Sequence, residues 1–138
     1  MSSYKKCGIS TKNKIISAEE RKKKFTLKNP NQINIIKVQV DGCLITNGQR
    51  CDYLFDIMAT KTIYYVELKG KDVEKAAKQL KATIKFCSTM HKGLNKMCYI
   101  VSSRVPLQGP KVQVLKRQFQ KETGVSLRIS CKQKTVRI

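Results

Sequence analysis

The spacing of apolar positions changes repeatedly along the chain, and each change predicts an element. The first 24 residues are polar and basic, and within them Ser17-Ala-Glu-Glu20 has the form of a capping box. That pattern predicts a short helix of about two turns, ended by Asn29-Pro30-Asn31. Residues 33–40 (INIIKVQV) are rich in β-branched side chains and read as a strand, closed by Asp41-Gly42. Asn47-Gly48 is a second turn signal. Residues 53–58 and 62–68 are strand-like runs separated by Ala59-Thr60-Lys61, and Gly70 closes the second.

The period then lengthens. Asp72 is placed to cap a long helix reaching to about residue 90. Val73, Ala76, Ala77, Leu80, Ile84 and Cys87 form one apolar stripe along it, while Lys75, Lys78, Lys81 and Lys85 occupy the remaining circumference. Residues 96–102 read as a buried strand. Gly109-Pro110 opens a second helix, with Gly124 just past its end, and residues 125–129 and 135–138 read as short terminal strands. The expected order is short helix, three strands, long helix, strand, helix, strands. This is an α/β sandwich in which helices flank a mixed central sheet. Residues 1–16 are expected as a basic N-terminal arm and residues 17–138 as one domain.

Charge narrows the class of partner. The 138 residues carry 29 Lys+Arg against 9 Asp+Glu, a formal net charge of +20. On a folded domain that excess favours a polyanion, through steering and counterion release, and points to nucleic acid of some kind. No run approaches the roughly 18 apolar residues of a membrane span. The opening MSSYKKCGIS has no apolar core of a secretory signal, so a cytoplasmic setting is expected. The six cysteines, at 7, 43, 51, 87, 98 and 131, form no CxxC and no Cys-His cluster. Zinc is therefore disfavoured, and free thiols are expected.

The central hairpin concentrates the chemistry. A turn at residues 59–61 sets Asp52 across from Glu67, near enough for the two carboxylates to share a cation. Glu67 and Lys69 are two apart on one strand and leave the same face, with the Leu68 carbonyl between them. Two carboxylates, a carbonyl and an ammonium suit hydrolysis of a phosphodiester. A hard ion such as Mg²⁺, or Mn²⁺, takes oxygen ligands and activates water, and the lysine stabilises developing charge.

These motifs carry a resemblance. Cys51-Asp52-Tyr53 followed by Val66-Glu67-Leu68-Lys69-Gly70, then a helix bearing Gln79, resembles the PD-(D/E)XK nuclease superfamily over roughly residues 17 to 102. The resemblance implies a restriction-endonuclease-like αβββαβ core, a Mg²⁺-dependent endodeoxyribonuclease and a homodimer. It implies Asp52 and Glu67 as metal ligands together with the Leu68 carbonyl, and Lys69 and Gln79 as further catalytic residues. Cys51 stands where the motif's proline would be. Glu20 is a candidate for the acidic residue that often precedes the hairpin, although capping accounts for it equally well. Arg50, Lys71, Lys75, Lys78 and Lys81 are the expected contacts to nucleic acid, and Lys111, Lys116, Arg117 and Lys121 on the second helix could serve in the same way. The alternative function is a non-catalytic nucleic-acid-binding protein that keeps the fold. Asp41 reads as a turn residue, Asp56 as a polar neighbour of the site, and His91 as a helix-end residue rather than a base.

Overall fold

Alternating apolar residues build a central sheet with two different faces. The computed structural model describes residues 2–104 and 110–138. After a 3-10 turn at Ser2–Cys7 come β1 (Gly8–Thr11), β2 (Ile15–Glu20), β3 (Lys23–Lys28), β4 (Ile35–Gln39), β5 (Tyr53–Ile57) and β6 (Thr62–Lys69). They are followed by α1 (Val73–Phe86), β7 (Asn95–Ser102), α2 (Pro110–Thr123), β8 (Ser126–Cys131) and β9 (Gln133–Arg137). The larger sheet has six strands in the order β1-β4-β5-β6-β7-β8, and β2-β3-β9 form a second sheet of three. β4, β5 and β6 run antiparallel, while β6, β7 and β8 are parallel. The chain is thus an α/β protein with a mixed sheet.

Period-two alternation assigns the two faces. Leu54, Ile63 and Tyr65 pack with Ala76, Ala77 and Leu80 of α1 and Phe119 of α2. Phe55, Ile57, Val66 and Val101 pack instead with Phe25 and Leu27 of β3. Helices therefore cover one face only, and the small sheet covers the other. α1 is capped as expected, the Asp72 carboxylate accepting from the Lys75 N–H at 2.9 Å, but it ends at Phe86 rather than near residue 90. Pro110 opens α2 and Gly124, at φ 75°, follows it. Gly109, the other half of that start signal, lies outside the described residues.

The expected first helix is absent, and a β-hairpin stands in its place. Ile16, Ala18, Phe25 and Leu27 are buried at alternate positions, which only strands can present to one sheet. Arg21 and Lys22, at φ 46° and 67°, make the tight turn. Two successive positive φ values match the twist of a hairpin, but the usual Asn-Gly signature is missing. Ser17 caps no helix; its carbonyl accepts from Lys37 Nζ at 2.7 Å.

The expected N-terminal arm is also part of the fold. β1 pairs with β4 from Gly8↔Val38 to Thr11↔Ile35, and Tyr4 is buried against the core. That pairing brings Cys7 to the turn after β4, where it forms a disulfide with Cys43, Cα atoms 5.7 Å apart. Free thiols were expected at both positions; a pair separated by 36 residues has no local signature. Cys51, Cys87, Cys98 and Cys131 are free. Among the described residues no helix is long and apolar enough to cross a membrane.

Candidate functional site

The β5–β6 pairing places Tyr53 opposite Val66, so Asp52 and Glu67 are the next residues outward on the helix-covered face. Asp52 lies just before β5, where its carbonyl accepts from the Val40 and Asp41 N–H groups at 2.9 and 3.3 Å. Its Oδ2 crosses to β6 and accepts from the Leu68 N–H at 2.8 Å. Within an extended strand the N–H and C=O of one residue point to the same side. The Leu68 carbonyl therefore faces the side on which Asp52 sits.

Burial sets the electrostatics. Glu67 is only 2% exposed, and its Oε1 has no hydrogen-bond partner. Desolvation, reinforced by the Asp52 charge, raises its pKa to about 9 against the weaker opposing pull of Lys69. Asp52 is raised to about 6, chiefly by burial, with the Leu68 N–H opposing. Glu20, at the hairpin end of β2, adds its charge to both shifts. The two carboxyls titrate as a pair, Asp52 losing its proton first.

α1 holds the segment that leads into Asp52. Gln79 Nε2 donates to the Arg50 carbonyl at 3.0 Å, and the Cys51 N–H donates to Thr83 Oγ1 at 2.8 Å. Thr83 Oγ1 in turn donates to the Gln79 carbonyl at 2.9 Å. Gln79 Oε1 is buried and, like Glu67 Oε1, without a partner. Each buried polar group without a partner costs about 1–3 kcal/mol unless something satisfies it. A proton on Glu67, which its raised pKa favours, or a bound cation with its waters would supply what these atoms lack. Among the described residues, however, no group of three or more His, Cys, Asp or Glu is gathered closely enough to hold a metal.

The other candidates separate in space. Arg50 is tied through Nε to Asp41 at 2.8 Å, so both belong to the turn beside Asp52. Lys71, Lys75 and Lys78 are exposed at the start of α1. Lys81 pairs with Glu122 and lies 6.0 Å over the Phe119 ring, which ties α1 to α2. Asp56, expected as a neighbour of the site, shares its face but lies about 13 Å away along β5. It accepts from the Tyr4 hydroxyl at 2.7 Å. His91 completes that chain, with Nε2 2.7 Å from the Tyr4 oxygen and Nδ1 2.6 Å from the Tyr65 oxygen. Because Tyr4 gives its proton to Asp56, His91 donates from Nε2 and accepts at Nδ1. Burial lowers the His91 pKa to about 4, so the ring is a neutral link in the core rather than the expected helix-end residue.

The turns that share this end of the sheet carry no local signature in the sequence. The Lys132 N–H donates to the Ser102 carbonyl at 2.7 Å, and the Lys24 N–H to the Lys132 carbonyl at 2.9 Å. Ser102 is the register partner of Lys69. The β8–β9 turn and the β2–β3 hairpin thus meet beside the strand that carries Glu67. No local pattern links residues so far apart in sequence. Comparison with protein-family models, with curated proteins and with solved structures finds no match to this chain.

Proposed function

We propose that this protein is a metal-dependent DNA endonuclease that hydrolyses phosphodiester bonds with Asp52, Glu67 and Lys69, on a restriction-endonuclease-like core. The observation that carries the reading is Glu67: a carboxylate buried at 2% exposure, facing Asp52, with one oxygen unsatisfied. A structural ion pair would have supplied a donor to that oxygen. The βββαβ run from β4 to β7 agrees with the resemblance, whereas its first helix is replaced by a hairpin.

Mg²⁺ or Mn²⁺ would be held by Asp52, Glu67 and the Leu68 carbonyl. Such ions keep several waters, so two carboxylates suffice. When bound, the ion polarises a phosphoryl oxygen and makes a bound water acidic. The Leu68 N–H fixes one oxygen of Asp52 and leaves the other for a ligand. Glu67, protonated at neutral pH by its burial, would have to release that proton to solvent in order to hold the ion. Lys69, on the same face, stabilises charge on the phosphate. Gln79 anchors the strand leading to Asp52 and offers Oε1 to a water. The net charge of +20 supports a polyanionic substrate. A homodimer would let one site address each strand of a duplex.

A second reading is a non-catalytic nucleic-acid-binding protein, which the net charge of +20 would serve equally well. One experiment separates the two. Purified protein is incubated with Mg²⁺ or Mn²⁺ on supercoiled, linear, branched and single-stranded DNA, beside Glu67→Gln and Lys69→Ala. Cleavage lost in both variants, with binding retained, is the expected result. Wild-type protein that binds these DNAs but cuts none of them leaves the second reading standing.

A further inference from the structure

The end of the sheet that carries Glu67 also carries cations in turns where their backbones are unfavourable. Among the described residues five non-glycine positions have positive φ, and three of them lie here: Arg21 (46°), Lys22 (67°) and Lys132 (67°). The left-handed region suits Gly, then Asn; a long side chain there is tolerated at a cost to the fold. Four glycines, Gly42, Gly48, Gly93 and Gly124, take the same geometry elsewhere, and Gln32 and Lys61 are the two remaining non-glycine cases.

Arg21, Lys22 and Lys132 are all exposed, and none is in an ion pair among the described residues. The Lys24–Lys132–Ser102 backbone ladder joins their two turns to the C-terminal end of β7, beside Lys69. Glu19 and Glu20 face Lys24 and Lys23 across the hairpin, and Lys23 Nζ donates to the Arg21 carbonyl at 3.4 Å, so the turn projects its cations away from the strand pair.

We propose that the β2–β3 and β8–β9 turns form a cationic grip for the phosphodiester backbone of DNA, on the side of the carboxylate pair away from α1. Arg21, Lys22 and Lys132 contact phosphates there and position the strand over Asp52 and Glu67. The grip rests on the nuclease reading for its orientation, but its binding is measurable without cleavage. Lys61 supplies an internal control. It is also a lysine with positive φ, 53°, but it precedes Thr62, at the opposite end of β6 from Lys69.

The test uses the full chain in EDTA with fluorescently labelled single-stranded and duplex DNA, read by anisotropy over a KCl series. The variants are Arg21→Asn/Lys22→Gly/Lys132→Gly and, separately, Lys61→Gly. In the triple variant the affinity should fall at least about tenfold near 0.1 M salt. Its salt slope should flatten by about 2–3, since each lost phosphate contact removes about 0.7–0.9. Its melting temperature should be unchanged or higher, because Asn and Gly suit these turns better. Lys61→Gly should bind like wild type. Wild-type affinity and slope in the triple variant, or an equal loss in Lys61→Gly, overturns the grip while leaving the nuclease reading to its own cleavage test. Wild-type protein that binds neither DNA removes both.

Discussion

Replacing Glu67 with Gln tests the buried carboxyl directly, because the two side chains have nearly the same shape and only one can ionise. Folding raises the Glu67 pKa from 4.5 to about 9. The native state therefore keeps a proton that the unfolded chain releases. The stability due to that difference is complete below about pH 4.5 and is lost as pH rises towards 9. Across this window the loss is at most about 1.4 kcal/mol per pH unit, so from pH 5 to pH 8 its ceiling is about 4 kcal/mol. Relaxation of the surroundings and water entry around a buried charge bring the expected value to about 2 kcal/mol. Urea unfolding in EDTA, measured at unit steps from pH 5 to pH 8, reads the difference between wild type and Glu67→Gln. The variant should gain on wild type as pH rises. Curves that stay parallel within about 0.5 kcal/mol over that range would refute the buried, protonated carboxyl and with it the geometry of the site.

The same proton governs metal binding. Since Glu67 must ionise to ligate, Mn²⁺ affinity measured by titration calorimetry should rise up to tenfold per pH unit between about pH 6 and 9, with proton release, and Glu67→Gln should abolish that dependence. Tyr65→Phe leaves His91 Nδ1 without its donor and should cost about 1–3 kcal/mol in urea unfolding while leaving DNA binding unchanged. Cys7→Ser/Cys43→Ser removes a crosslink spanning 36 residues and should lower stability by about 2–4 kcal/mol in urea unfolding, whereas Cys131→Ser, at a half-buried free thiol, should cost under about 1 kcal/mol. Phe55→Ala, at a side chain with 0% exposure between the two sheets, should cost about 3–5 kcal/mol and measurably lower the melting temperature.

Much of the central architecture was legible from local pattern. The strands at 35–39, 53–57 and 62–69, the capped helix after Asp72 and the register of Asp52 with Glu67 all follow from apolar period and one short turn. Those signals act over a few residues, and the β5–β6 turn is short enough to transmit register from one strand to the next. The capping-box pattern at Ser17 is also compatible with an alternating strand, and the apolar sheet face formed by Phe55, Val66 and Val101 required a cover. Burial, too, was invisible: nothing around Glu67 in the chain says that its Oε1 meets no donor.

The sequence by itself determined which residues could make a carboxylate pair with a lysine on one strand face, and the excess of positive charge around them. Only the tertiary structure decided that a hairpin replaces the first helix, that Cys7 meets Cys43, and that His91 is a neutral link between Tyr4 and Tyr65. It also brought the turns at 21–22 and 132 to the end of the sheet that carries Glu67. The physical reason is range. Periodicity and capping are local properties of the chain, whereas desolvation, crosslinks and the meeting of turns depend on which distant segments the two faces of the sheet bury.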